Sequence, residues 1–206
     1  MGRAMKKFVS TVFAVSLTVV VGAAYAADAT PPTRVRGTID QVDGQTLHIP
    51  GRNGEKVVVM LTPDAKVVDV SKIDITAIKP NSYIGTAAAP LPDGSLKALE
   101  VHVFPESMRG TGDGHRPFDL GPNSTMTNGT VGSVVGNSDR TLTVKYEGGE
   151  KKVVVPADVP IVTFEPGTAS ELKAGAHVIV MAMKAPDGTL SANRVNVGKD
   201  GLTPPM

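Results

Sequence analysis

The sequence predicts an all-β protein made of two small five-stranded barrels in tandem. Three observations predict it: short runs of polar–apolar alternation, turn residues between those runs, and an internal duplication. Thr46-Leu47-His48-Ile49 and Thr141-Leu142-Thr143-Val144 alternate with the period of two that marks a half-buried strand. Val57-Val58-Val59 and Val153-Val154-Val155 are β-branched runs, which fit a pleated surface. Breaks fall at Asp43-Gly44, at Gly51 to Gly54, at Gly148-Gly149, and at the corners ending in Asp93-Gly94 and Asp187-Gly188.

The duplication runs through most of the chain. VRGTIDQVDGQTLHI from Val35 answers TVGSVVGNSDRTLTV from Thr130. Gly37 matches Gly132, Thr46-Leu47 matches Thr141-Leu142, and Gly54-Glu55-Lys56 matches Gly149-Glu150-Lys151, all at an offset of 95. Ile78-Lys79 then matches Leu172-Lys173, and Asp93-Gly94 matches Asp187-Gly188, at an offset of 94. The copies end alike, with LKALEVHV from Leu96 and LSANRVNV from Leu190. Such a period means two similar structural units. Short helical candidates, Asp74 to Lys79 and Ser170 to Ala174 with Gly175 as a stop, lie between the third and fourth strands. Five strands with a helix in that place is the order of an OB-like barrel, with a small β-sandwich as the alternative.

The chain divides accordingly. Residues 1–26 read as a signal peptide: Arg3, Lys6 and Lys7 form a basic start, Phe8 to Val21 an apolar core, and Ala24-Tyr25-Ala26 a cleavage site. Residues 34–104 form the first β domain, 105–128 a connector, 129–198 the second β domain and 199–206 a tail. Cleavage after Ala26 leaves 180 of 206 residues, with 18 Lys and Arg against 20 Asp and Glu. That balance argues against nucleic acid, whose binders show a basic excess on one face. Zero Cys excludes disulfides, thiol catalysis and cysteine metal sites. No later segment is apolar for the roughly 20 residues a membrane helix needs. The expected location is the periplasm.

The connector opens with the stretch FPESMRGTGDGHRPFDL, from Phe104 to Leu120, which has neither helical nor strand period. A connection of about 24 residues is longer than most and is usually functional or disordered. Phe104, Met108 and Phe118 are apolar anchors expected to pack on a barrel and hold the charged part in place. The β repeat with Asp-Gly before its last strand, joined by PESMRGTGDGHRP, resembles a group of exported proteobacterial proteins of unknown function with tandem OB-like domains. Some members are labelled metal transporter permease, but a permease needs several membrane helices and this chain has none after its leader. The resemblance implies a fold and no catalytic residues.

Two candidate sites lie on the connector. His102, Glu106, Asp113 and His115 carry the nitrogen and oxygen donors that suit a divalent metal such as Zn or Mn. The simpler reading sets Glu100 and His102 on a solvated strand face and pairs the loop carboxylates with Arg109 and Arg116. Gly110, Gly112 and Gly114, flanked by Arg109 and Arg116, could form an anion-binding nest. Here too the plainer role is a bend whose arginines clamp carboxylates across an interface. Asp113, His115 and Ser124 make a hydrolytic triad only on paper, with no nucleophile elbow. The expected function is therefore a non-enzymatic exported binding or scaffold module without a cofactor, its partner a periplasmic protein or small ligand. The alternative is metal binding or delivery through the connector.

Overall fold

The computed structural model describes residues 32–50, 54–135 and 140–206. The predicted leader and most of the Gly51 to Gly54 turn lie outside them. Among the described residues the chain forms thirteen strands and four short 3-10 turns, so the protein is all-β.

A closed five-stranded barrel is built from β5 (Tyr83–Pro90), β6 (Leu96–Val103), β8 (Thr125–Val135), β9 (Thr141–Tyr146) and β10 (Gly149–Val154). β5 pairs with β6 and β8, β8 with β9, and β9 with β10, all antiparallel; β10 then runs parallel to β6 and closes the ring. Ile84, Val101, Val131, Leu142, Val144 and Val153 fill it. The ring draws strands from both sides of the predicted connector, where the sequence reading gave each copy a barrel of its own. The remaining strands follow the same order. β1 (Thr33–Thr38) pairs with β12 (His177–Lys184), β12 with β13 (Leu190–Gly198), β13 with β4 (Lys56–Lys72), β4 with β3 (Thr46–Pro50) and β3 with β2 (Gln41–Asp43). Leu47, Val59, Val178 and Val195 pack between them.

β4 explains the exchange. Its 17 residues, at about 3.3 Å each, extend roughly 55 Å, which takes the chain from one group of strands to the other. In the second copy the same course is broken into β10 and β11 (Ile161–Pro166) by Pro156 and Pro160, which cannot donate to a ladder. β13 lies parallel to β4 with Val195 opposite Val67, and β6 parallel to β11 with Val101 opposite Ile161. Both pairs are related by 94 residues. β4 and β11 then pair antiparallel, with Val70 opposite Phe164, Val68 opposite Pro166 and Lys72 opposite Val162. That register is symmetric about Val70 and Phe164, so a local two-fold relation passes between them.

The expected helices are single 3-10 turns, Ile75–Ala77 and Ala169–Glu171. Asp74 caps the first by accepting from the Thr76 N–H, and Thr168 with Glu171 forms a capping box on the second. The connector also differs from expectation. It joins β6 to β8, two strands of one ring, and contains a 3-10 turn (Glu106–Met108) and β7 (Gly114–Pro117), which pairs with Thr125–Asn128 of β8. Four residues are too few to show a period in the sequence. Residues 199–206, read as a tail, form a further 3-10 turn and lay Leu202 and Met206 onto the molecule.

Candidate functional site

Alternation along β6 decides what lies between the two groups of strands. Val101 and Val103 face the barrel interior, so Glu100 and His102 face outward. That outward side is covered by a third cluster of Val70, Tyr83, Phe104, Val162, Phe164 and Ile179, with Met108 and Leu202 at its edge. Glu100 is 0% exposed and His102 4%, so the solvated face expected for them is a buried one. His102 Nδ1 lies 2.9 Å from Glu100 Oε2, and Glu100 Oε1 accepts the Ala87 N–H at 2.7 Å. The His102 ring meets Phe104 and Phe164 edge-on, at centroid distances of 4.9 and 5.5 Å. Gly85 stands opposite His102 in register, and any side chain there would overlap the imidazole.

The connector seals this pair. Asn128, the neighbour of Gly85 on β8, donates from Nδ2 to the Thr111 carbonyl at 3.0 Å. Its Oδ1 is buried with no hydrogen-bond partner among the described residues. Tyr83 donates to Asp113 Oδ2 at 3.1 Å, and burial together with Asp113 pushes the phenol up to about 12. Asp113 Oδ1 accepts the Glu147 N–H at 2.7 Å. The turn thus lies across β5 and β8, held by Tyr83, Asn128 and the chain at Glu147.

The four residues of the candidate metal site are not brought together. Glu106 forms a two-pronged pair with Arg109, at 2.6 and 2.8 Å, which holds its carboxyl below the usual range. His102 is committed to Glu100. His115, on β7, bonds Thr127 Oγ1 at 2.8 Å and stacks on Tyr146, and burial pulls its pKa down, with Lys151 adding to the effect. No group of three or more His, Asp or Glu side chains able to hold a metal occurs among the described residues. The glycine nest is a turn with Gly110, Gly112 and Gly114 at φ of 84, 58 and 124°. Arg116 closes it by donating to the Gly112 carbonyl at 2.7 Å, and Arg109 also donates to the Asn81 carbonyl.

The connector is also attached through Arg34 and Arg36, two residues that sequence reasoning missed. Asp119 accepts from Arg36 through both oxygens at 2.9 Å and from Arg34 at 2.6 Å. Arg36, followed by Arg34, holds the Asp119 carboxyl far below the usual range. Phe118, expected as an anchor, lies under the Arg34 guanidinium at 4.5 Å. The signal was Arg34-Val35-Arg36, since residues two apart on a strand share a face.

A concave site also opens beside the third cluster. It is a bowl of about 500 Å³ lined by Lys66 and Val68 of β4, Pro105 and Met108 of the connector, and Phe164 and Pro166 of β11. Beyond Gly167 on its rim lies Asp69, 3% exposed, with Lys199 Nζ 3.4 Å from Oδ2. Burial and the neighbouring Glu171 carboxylate raise the pKa of Asp69. Searches against family models, curated proteins and solved structures return no match. The class that the fold defines is that of β-barrel proteins, and no helix among the described residues is long and apolar enough to cross a membrane.

Proposed function

We propose that this chain is an exported, periplasmic, non-enzymatic binding module, built by duplication of a five-stranded OB-like unit. In this reading the two copies complete each other: β1 to β4 close with β12 and β13, as β8 to β10 close with β5 and β6. The observation that carries the reading is the bowl. It lies at the seam where β4, β11 and the connector meet, and its lining is mainly apolar. Concave, mostly apolar sites with a few placed polar groups are where small ligands bind. The buried Glu100–His102 pair, which has the composition of a catalytic dyad, supports the non-enzymatic side of the reading, because it sits sealed in the packing.

The test is an amide chemical-shift map of the mature chain, from Ala27, during titration with apolar small molecules. Shifts concentrated at residues 65–68 and 164–169 are expected. Shifts confined to other surfaces would contradict a binding seam. Amino-terminal sequencing of the exported protein is expected to begin at Ala27.

A further inference from the structure

We infer that Asp69 and Glu171 hold one proton between them and use it as a latch. With the proton in place the Ala169–Glu171 turn is fastened to β4; without it the two carboxylates part and the turn is released. The latch stands whether or not the bowl is filled. Asp69 is enclosed in β4, yet no N–H or hydroxyl of a described residue reaches its Oδ1. Beside it lies the Glu171 carboxyl, to which Asp69 is hydrogen-bonded. Ionised carboxylates are acceptors only, so such a bond needs a proton on one of the two.

Gly167 lets the two groups meet: a Cβ there would overlap Asp69 Oδ1 and stand 2.7 Å from Glu171 Oε2. Glu171 is oriented by the capping box, in which Oε2 accepts the Thr168 N–H at 2.7 Å. The Gly167 N–H donates to the Val67 carbonyl at 3.0 Å, which ties the approach to the turn onto β4. Burial, then the bond to Glu171, raises the pKa of Asp69, while the Thr168 N–H, then Asp69, lowers that of Glu171. The proton therefore rests on Asp69, the enclosed member, and the charge on Glu171, the member nearer the surface.

The other charged groups around the pair do not replace the proton. Glu165 of β11, opposite Asp69 in register, accepts from Ser71 Oγ at 3.3 Å. Lys199, half exposed, lies 3.4 Å from Oδ2, the other oxygen of Asp69. Lys173, Asp200 and His177 of β12 border the same hollow, and His177 Nδ1 is engaged with Thr38 Oγ1 at 2.9 Å. Carboxyl groups thus outnumber lysines here, and a nearby like charge disfavours ionisation. When Asp69 ionises, the surface turn is the part that yields. Gly167 and Ala169 line the bowl, so the latch also shapes its rim. The stability that the proton lends is present below the unfolded aspartate value of about 3.9 and is lost as pH rises through the raised folded one.

The experiment is a pH titration of the mature chain, followed through side-chain carboxyl carbon shifts and backbone amide shifts. The Asp69 carboxyl is expected to titrate above the ordinary aspartate value of about 3.9, and Glu171 below the ordinary glutamate value of about 4.3. Each signal is expected to register the other's step, the mark of a coupled pair. Amides of residues 167–172 are expected to move with the Asp69 step. Glu171→Gln is expected to bring the Asp69 step down, because its amide donates to the Asp69 carboxylate. Asp69→Asn is expected to abolish the amide movement, because its own amide takes the place of the proton. Unaltered shifts elsewhere show that a variant is folded, and Glu171→Gln alone decides the matter if Asp69→Asn does not fold. An Asp69 step at or below the ordinary value, or one that Glu171→Gln leaves in place, would overturn the shared proton. A raised Asp69 step without movement at residues 167–172 would overturn the latch.

Discussion

Glu100 and Arg194 occupy equivalent places, 94 residues apart, two positions before His102 and Asn196 on the last strand of each copy. They have opposite fates. Glu100 is completely enclosed, with His102 on one oxygen and the Ala87 N–H on the other, and the Thr111 turn covers the neighbouring Asn128. Arg194 has one amide oxygen at 3.3 Å and the sulfur of Met108 at 3.6 Å. A duplicated scaffold presents the same strand positions twice. Here one has become structure, through a partner and a cover, while its counterpart remains short of partners. A buried group costs free energy unless its hydrogen bonds are met.

The comparison breaks most severely at Glu100. Glu100→Ala strips His102 and the Ala87 amide of their acceptor in a site without water access. A loss of about 3 kcal/mol or more is expected in urea unfolding, read from the midpoint at constant slope. Gly85→Ala comes next, because its methyl would overlap His102 Nε2 and sit 2.6 Å from Asn128 Oδ1. Such overpacking costs about 1–3 kcal/mol, and a displaced His102 ring signal in the proton spectrum would accompany it.

The Asp119 clamp sets a smaller scale. Its pKa is lowered in the folded chain, so its contribution is present above the unfolded value of about 3.9 and fades as pH falls toward the folded one. The carboxylate is half exposed, so Asp119→Asn is expected to cost only about 0.5–1 kcal/mol at neutral pH. The gap between variant and parent should narrow below about pH 4 in parallel unfolding series. A gap that widened with acid would remove the clamp from the account.

Strand alternation, Asp-Gly corners and β-branched runs made the β class legible, and Asp74 marked a turn that is present. Strand partners were not legible, because pairing is non-local and two similar copies offer similar edges. The course of β4 past residue 60 and the break at Pro156 and Pro160 decide which strands meet, and those features lie outside the matched segments. At the candidate sites, the alternation of LKALEVHV placed Glu100 and His102 on one face correctly. It could not show that a third cluster covers that face. Arg194 was passed over because an arginine on a strand normally lies in water. Its significance comes from Met108 and Lys66, 86 and 128 residues away.

The central claim is that the two equivalent positions differ in how fully the protein itself satisfies them. Urea unfolding of ligand-free Arg194→Met tests this most directly. The expected result is stability within about 0.5 kcal/mol of the parent, or slightly above it, because an apolar side chain of similar length packs on Met108 and no half-buried guanidinium with unmet donors remains. A loss as large as that of Glu100→Ala would contradict the account and make Arg194 a structural partner like its counterpart.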